Sequence, residues 1–238
     1  MVVTQKNILT KDRLIFALDV PDCSVAKNLV QELGDSVLFY KLGLELMMTG
    51  DYFDLLDWML SKDKKVFADL KFFDIPATVG AAVNRLKNRG ASFVTVHGNQ
   101  SIMEAAAENK GDHLKVLAVT ALTSLDRGDL DDLGFDCDVG DLVLSRARRA
   151  LEAGCDGVIS SGMEVAKLRQ QIDNKLLVIT PGIRPVDNKP SEDQKRVVTV
   201  TQAFKNGADY IVVGRPIRDA SNPRASAEAI QNSIADCF

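Results

Sequence analysis

Eight short apolar runs, each ending in polar residues or glycine, divide this chain of 238 residues at fairly regular intervals. They are 14–19, 37–41, 65–69, 93–97, 114–120, 157–160, 176–180 and 210–213, and each reads as a strand. Between them, 24–33, 77–89, 101–109, 141–153, 165–172 and 225–236 place apolar residues mainly three and four apart, the spacing of one helix face. The pattern is therefore a β-α alternation. A faint repeat supports it: R-G-A-S-F-V from residue 89, A-G-C-D-G-V from 153 and N-G-A-D-Y-I from 206 each put glycine where a helix ends before a strand. The three copies precede the fourth, sixth and eighth runs. Eight such units in a chain of this size fit an α/β fold, the (β/α)8 TIM barrel, with 1–238 as a single domain. The competing arrangement is an open doubly wound sheet, but no G-x-G-x-x-G follows the first run.

A barrel of this kind carries its chemistry at the carboxyl ends of the strands, and charged residues collect there. Asp19 ends the first run, Lys41 the second, and Asp69-Leu70-Lys71-Phe72-Phe73-Asp74 closes the third. Side chains alternate along a strand, so Asp69 and Lys71 are expected to point the same way, with Asp74 just beyond. Buried charge is costly unless paired, so these groups form either a ring of structural ion pairs or a site that uses their field. The spacing suggests an acidic ammonium held between carboxylates. A second polar region begins at Thr180-Pro181-Gly182-Ile183-Arg184 and runs to Arg196 without helix or strand pattern, the length of a functional loop or a disordered one. After the eighth run, Val213-Gly214-Arg215-Pro216 offers a glycine for close approach and a guanidinium whose fork of donors suits phosphate. Barrels commonly bind phosphate between the loops after strands seven and eight. A surface ion pair is the plainer role for Arg215.

Composition narrows the partners. A net charge of −4 and a pI near 5.3, with no basic stripe, argue against nucleic acid or an anionic membrane surface and for a small ligand. No apolar run is long enough to span a bilayer, and the first residues lack the apolar segment of a secretory signal. Cys23, Cys137, Cys155 and Cys237 are widely spaced, and only His97 and His113 could join them, so no structural zinc site is expected. The expectation is a cytoplasmic protein with reduced thiols. Met47, Met48 and Trp58 read as helix packing, and His97 as either a site wall or a satisfied structural histidine.

The block from Asp69 to Pro76 resembles the signature of the orotidine 5′-phosphate decarboxylase family. Ala17-Leu18-Asp19, Lys41-Leu42-Gly43, Thr180 to Arg184 and Val213 to Pro216 resemble the family's other landmarks, in the same order. The D-x-K-x-x-D core is shared with related decarboxylases and synthases acting on sugar phosphates, whereas the P-G-I-R and G-R-P blocks make the likeness specific. The resemblance implies decarboxylation of orotidine 5′-monophosphate to UMP with no metal or other cofactor. It implies Lys71, Asp69, Asp74 and Lys41 as catalytic residues. It also implies Asp19, Lys41, Thr78, Thr123, Pro181, Arg184, Gln194, Gly214 and Arg215 as substrate-binding residues, with Ser124 beside Thr123 at the pyrimidine and Gln194 in a lid. Asp74 and Thr78 resemble residues that reach a neighbouring subunit's ribose, which implies a homodimer with shared sites. Two other functions stay open at this level. A metal-dependent barrel such as a 3-keto-gulonate-phosphate decarboxylase or hexulose-phosphate synthase would share the core motif, and a barrel used only for binding would leave Lys71 between acids unexplained.

Overall fold

The computed structural model describes residues 6–184 and 196–238. Eight parallel strands follow one another around a closed barrel: β1 (Leu14–Ala17), β2 (Phe39–Leu42), β3 (Lys65–Phe72), β4 (Phe93–His97), β5 (Lys115–Val119), β6 (Gly157–Ile159), β7 (Leu177–Thr180) and β8 (Tyr210–Val213). β8 pairs with β1 through Leu14↔Ile211 and Phe16↔Val213, which closes the ring. The helices are α1 (Cys23–Leu33), α2 (Leu44–Met47), α3 (Tyr52–Leu60), α4 (Pro76–Lys87), α5 (Gln100–Asn109) and α6 (Arg127–Asp132). α7 (Val139–Glu152), α8 (Val165–Gln171), α9 (Val200–Lys205), α10 (Arg215–Arg218) and α11 (Pro223–Ala235) follow among the described residues. Among the described residues no helix is long and apolar enough to cross a membrane.

The strands read as nearly unbroken apolar runs because both of their faces are covered. One face of each strand points into the barrel, where Ile15, Phe39, Phe67, Phe93, Leu117, Ile179 and Tyr210 form an inner core. The alternate residues, such as Phe16, Tyr40, Val66 and Val94, pack outward against the helices. Within the barrel, Phe93 stands edge-on or tilted to Phe39 at 4.9 Å, Tyr210 at 5.2 Å and Phe67 at 5.9 Å between ring centroids. These separations fall in the favourable range for aromatic pairs, and the rings fill the barrel beneath its mouth. Gly157 is also in the ring. A Cβ there would lie 2.7 Å from Leu177 Cβ and 2.9 Å from Leu117 Cδ2, so no larger residue fits without displacing its neighbours.

The repeated glycines serve the turn expected of them. Gly90, Gly154 and Gly207 all adopt positive φ, at 81°, 81° and 103°. After α7 and α9 the chain then closes with the six-to-one hydrogen bonds Cys155 N–H to Ala150 O and Ala208 N–H to Ala203 O, the pattern of a helix ending in a left-handed residue. At the opposite end of the barrel from its mouth, buried Asp209 receives Lys6 Nζ at 2.7 Å, Arg169 Nη2 at 2.6 Å and the Val178 N–H at 2.8 Å. The Arg13 guanidinium donates to the Asp209 carbonyl at 3.1 Å. This tie joins the N-terminal segment, β7 and β8.

Several details differ from the sequence expectation: β1 ends at Ala17, two residues before Asp19, and β2 starts at Phe39 and ends at Leu42. β3 continues to Phe72, three residues past the expected 65–69. α2 and α10 are single turns and α6 and α9 barely longer, too short to establish a period, while α3 is apolar on too much of its circumference to show one face. Met47 and Trp58 do pack on the outer core, but Met48 is 84% exposed, because α2 ends at Met47 and turns the next side chain to the surface.

Candidate active site

A cavity of about 520 Å³ opens at the carboxyl ends of the strands. Its floor includes Phe67 of the aromatic layer. The ends of β1, β2 and β3 contribute Asp19, Lys41, Asp69 and Lys71. The chain after β7 contributes Pro181, Gly182 and Arg184, that after β8 Gly214, Arg215 and Arg218, and the β5 loop Thr123.

The four charged residues make a continuous line. Asp19 Oδ1 accepts from Lys41 Nζ at 3.0 Å, Lys41 Nζ is 3.4 Å from Asp69 Oδ2, and that same oxygen accepts from Lys71 Nζ at 2.9 Å. Strand pairing puts Ala17 beside Lys41 and Lys41 beside Phe67, so Lys41 starts two residues below Asp19 and Asp69 on the neighbouring strands, and its long side chain spans the difference. Burial works against charge on both inner members. Even so, attraction to Asp69 and Asp19 outweighs it at Lys41 and raises the ammonium above its usual range. At Asp69 burial is likewise outweighed, by Lys41 and Lys71 and then by the Thr95 hydroxyl, and the carboxylate is held below its usual range. Both therefore stay charged near neutrality. A Cβ at Gly43 would come within 3.4 Å of both Asp19 Oδ1 and Lys41 Nζ, so the glycine leaves room for this pair.

Lys71 reaches the line through an irregular backbone. Its φ is +47°, and it shares positive φ with only one other non-glycine among the described residues, Asp63. Pairing with β4 passes from Ala68↔Val94 to Phe72↔Val96, so four residues of β3 advance against two of β4. Such a bulge re-aims side chains at an active site. Simple alternation thus gave the correct neighbour for Asp69 without revealing how the strand delivers it.

The lining after β7 and β8 is rich in guanidinium. Arg184, Arg215 and Arg218 all line the cavity, and Arg218 also donates to the Asp19 carbonyl at 2.7 Å. Gly214 presents its backbone where a Cβ would stand 3.3 Å from that of Ala17. The two ends of the loop after β7 are held together by a bridge between Ile183 and Val198, with Arg184 N–H donating to Val198 O and Val198 N–H to Gly182 O. Arg196 ties the returning chain to Glu164 at 2.6 Å and to the Leu122 carbonyl at 2.9 Å.

Of the residues expected at a site, Asp19, Lys41, Asp69, Lys71, Thr123, Pro181, Arg184, Gly214 and Arg215 meet around this one cavity. Asp74 and Thr78 do not line it. Both are exposed at the same end of the barrel, Asp74 on the turn into α4 and Thr78 in the first turn of that helix, with Phe73 and Ile75 each 66% exposed on either side of Asp74. The Phe73 ring stacks at 4.6 Å on His97, which places His97 at the rim, where burial, Arg146 and Lys71 hold its pKa below the usual value. Gln194 lies outside the described residues. Ser124 is not on the cavity wall. Sequence reasoning missed Thr95 and Arg218. Nothing local marks Thr95, whereas Arg218 follows Arg215 by one helical turn and could have been found from that spacing. Among the described residues the cysteines are free, and no three His, Cys, Asp or Glu side chains are grouped to hold a metal ion.

Comparison with known proteins fits this geometry. Residues 12–230 match the family described as orotidine 5′-phosphate decarboxylase / HUMPS. The chain belongs to that family. Curated relatives carry the narrower of its two descriptions. A protein named orotidine 5′-phosphate decarboxylase from Methylococcus capsulatus is 66% identical over 236 residues, covering 99% of this chain and 97% of its own. One of the same name from Stenotrophomonas maltophilia is 51% identical over 228 residues, covering 95% and 94%. Among solved structures, orotidine 5′-phosphate decarboxylase from Lactobacillus acidophilus superposes with a TM-score of 0.83 at 34% identity, over 94% of this chain and 99% of that one.

Proposed function

We propose that the chain decarboxylates orotidine 5′-monophosphate to UMP and CO2, the last step of pyrimidine nucleotide synthesis, with Lys71 as the acid and without a cofactor. The observation that carries the mechanism is the placement of Lys71 Nζ 2.9 Å from Asp69, at the end of a charged line that shares one cavity with three guanidinium groups. When the C6–CO2 bond breaks, its electron pair stays on C6 in the plane of the pyrimidine ring, orthogonal to the π system. No simple resonance sink receives it. A fixed ammonium beside that carbon stabilises the developing charge without having to reorganise. Lys71 then gives its proton to C6, and water restores the ammonium. Asp69 holds that ammonium in place and shares its oxygen with Lys41, while Asp19 and Lys41 take the ribose hydroxyls. The 5′-phosphate belongs to Arg215, Gly214 and Arg184, and Thr123 stands at the base.

We read Asp74 and Thr78 as serving a second copy of the chain. Both are exposed, and Asp74 stands between the exposed apolar side chains of Phe73 and Ile75, which supports that reading because exposed apolar groups beside charge mark association surfaces. A homodimer with shared sites, working in the cytoplasm, is the form this function takes.

The decisive assay follows loss of the orotidine 5′-monophosphate absorbance with purified protein and excess EDTA. Wild type is expected to turn over. Lys71→Ala, which removes both the charge and the proton, should lose at least about 10²-fold in kcat while keeping its circular dichroism spectrum. Activity that disappears with EDTA and returns with Mg²⁺ would instead favour the metal-dependent sugar-phosphate chemistry that shares the D-x-K-x-x-D core.

A further inference from the structure

The irregular stretch of β3 leaves a gap in the sheet, and one side chain fills it. Between the pairs Ala68↔Val94 and Phe72↔Val96, the single β4 residue facing the bulge is Thr95, and it is fully buried. Its Oγ1 accepts a hydrogen bond from the Lys71 backbone N–H at 2.9 Å and donates one to Asp69 Oδ1 at 2.8 Å. The directions are fixed by chemistry. A backbone N–H can only donate and an ionised carboxylate can only accept, so the hydroxyl takes one role toward each. Thr95 does not line the cavity and so has no place to touch a ligand.

We infer that Thr95 is a positioning residue that holds both Lys71 and Asp69 in working geometry. Positive φ at a lysine is uncommon and must be held by its surroundings. The Thr95 bond supplies the backbone partner that regular pairing with β4 would otherwise provide. At Asp69 the effect is rotational. Thr95 occupies Oδ1 while Lys71 and Lys41 share Oδ2, so the carboxylate cannot turn about its axis without breaking contacts on both sides. One hydroxyl thus fixes the backbone from which the Lys71 ammonium projects and the carboxylate on which it rests.

This inference rests on the decarboxylase function proposed above, and its test separates the two. Thr95→Val keeps the shape and removes both hydrogen bonds, whereas Thr95→Ser keeps the hydroxyl. Thr95→Val is expected to lower kcat by roughly 10- to 150-fold, the loss for a hydrogen bond to a charged group, while the dissociation constant for UMP changes by less than about threefold. Thr95→Ser should recover most of the lost kcat. In Thr95→Val the Lys71 amide should also exchange with solvent faster than in wild type, as read by hydrogen exchange. If Thr95→Val does not fold, Thr95→Cys, whose thiol is a poor donor and acceptor, takes its place with the same expected direction. Unchanged kcat and unchanged exchange at Lys71 would overturn the inference. So would an equal loss of kcat and UMP affinity that serine fails to restore, since that is the behaviour of a general packing defect. A wild-type protein inactive toward orotidine 5′-monophosphate would refute the function instead, leaving the exchange measurement to decide whether Thr95 holds the Lys71 backbone.

Discussion

Arg215 lines the cavity at the end of β8, but a guanidinium there could serve either a phosphate or the fold. The two roles separate in the choice of substrate. A charge-assisted hydrogen bond contributes about 1.5–3 kcal/mol, so Arg215→Ala should reduce kcat/KM for the nucleotide by roughly 10- to 150-fold or more. Binding energy at a remote phosphate can also organise the reacting centre, so the nucleoside orotidine should be a far poorer substrate for the wild type. Against orotidine, Arg215→Ala should be nearly silent. Steady-state kinetics on both substrates decide the matter, and equal damage to both would remove Arg215 from the phosphate site. The residues of this site were legible from sequence in different degrees. Asp69 and Lys71 announced themselves because three charges ending an apolar run demand an explanation. Thr95 did not, because a threonine inside a strand is ordinary until the partner strand is known to bulge beside it.

At the scale of elements, the ends of β1, β2 and β3 behave as one electrostatic unit. Asp69 has its pKa lowered in the folded chain, so it adds stability above the unfolded carboxylate value of about 3.9, and that contribution disappears as pH falls through the lower folded value. Lys41 has its pKa raised, so its contribution is present below about 10.4 and is lost as pH rises through the higher folded value. Urea unfolding midpoints measured against pH should therefore fall off in acid below about pH 4. In Asp69→Asn the protein should be less stable at pH 7, because Lys41 and Lys71 lose a partner, and the acid fall should flatten. An identical acid limb in the variant would mean that the Asp69 charge contributes nothing to the fold. The strands themselves were readable because burial on both faces makes them plain apolar runs, and β4 and β8 match expectation at both ends. The short helices α2, α6, α9 and α10 were not, because four to six residues hold too few turns to display a period.

At the scale of the molecule, the two ends of the barrel have separate tasks. Asp209 and its cations tie the closed end, while the open end holds charge around a cavity and exposes Phe73, Asp74 and Ile75 at its rim. If that rim completes a partner's site, two inactive proteins should repair each other. Mixing Lys71→Ala with Asp74→Ala chains yields heterodimers in which one site carries both lesions and the other neither. Activity should return after subunit exchange, to about a quarter of the wild-type value if half of the dimers are mixed and each has one intact site. A mixture that stays inactive while mass spectrometry detects heterodimers would show that Asp74 acts within its own subunit.

The separation of the two cores has a consequence for inheritance. Along each strand, alternate residues belong to the barrel interior or to the shell beneath the helices, as Phe39 and Tyr40 do on β2. Neighbouring codons in one strand are therefore answerable to different surroundings. A change at one letter alters the floor under the ligand, and a change at the next alters only how a helix seats. Descendants of such a chain can drift in their outer packing while the chamber keeps its shape, and can remodel the chamber without first rebuilding the wall that encloses it.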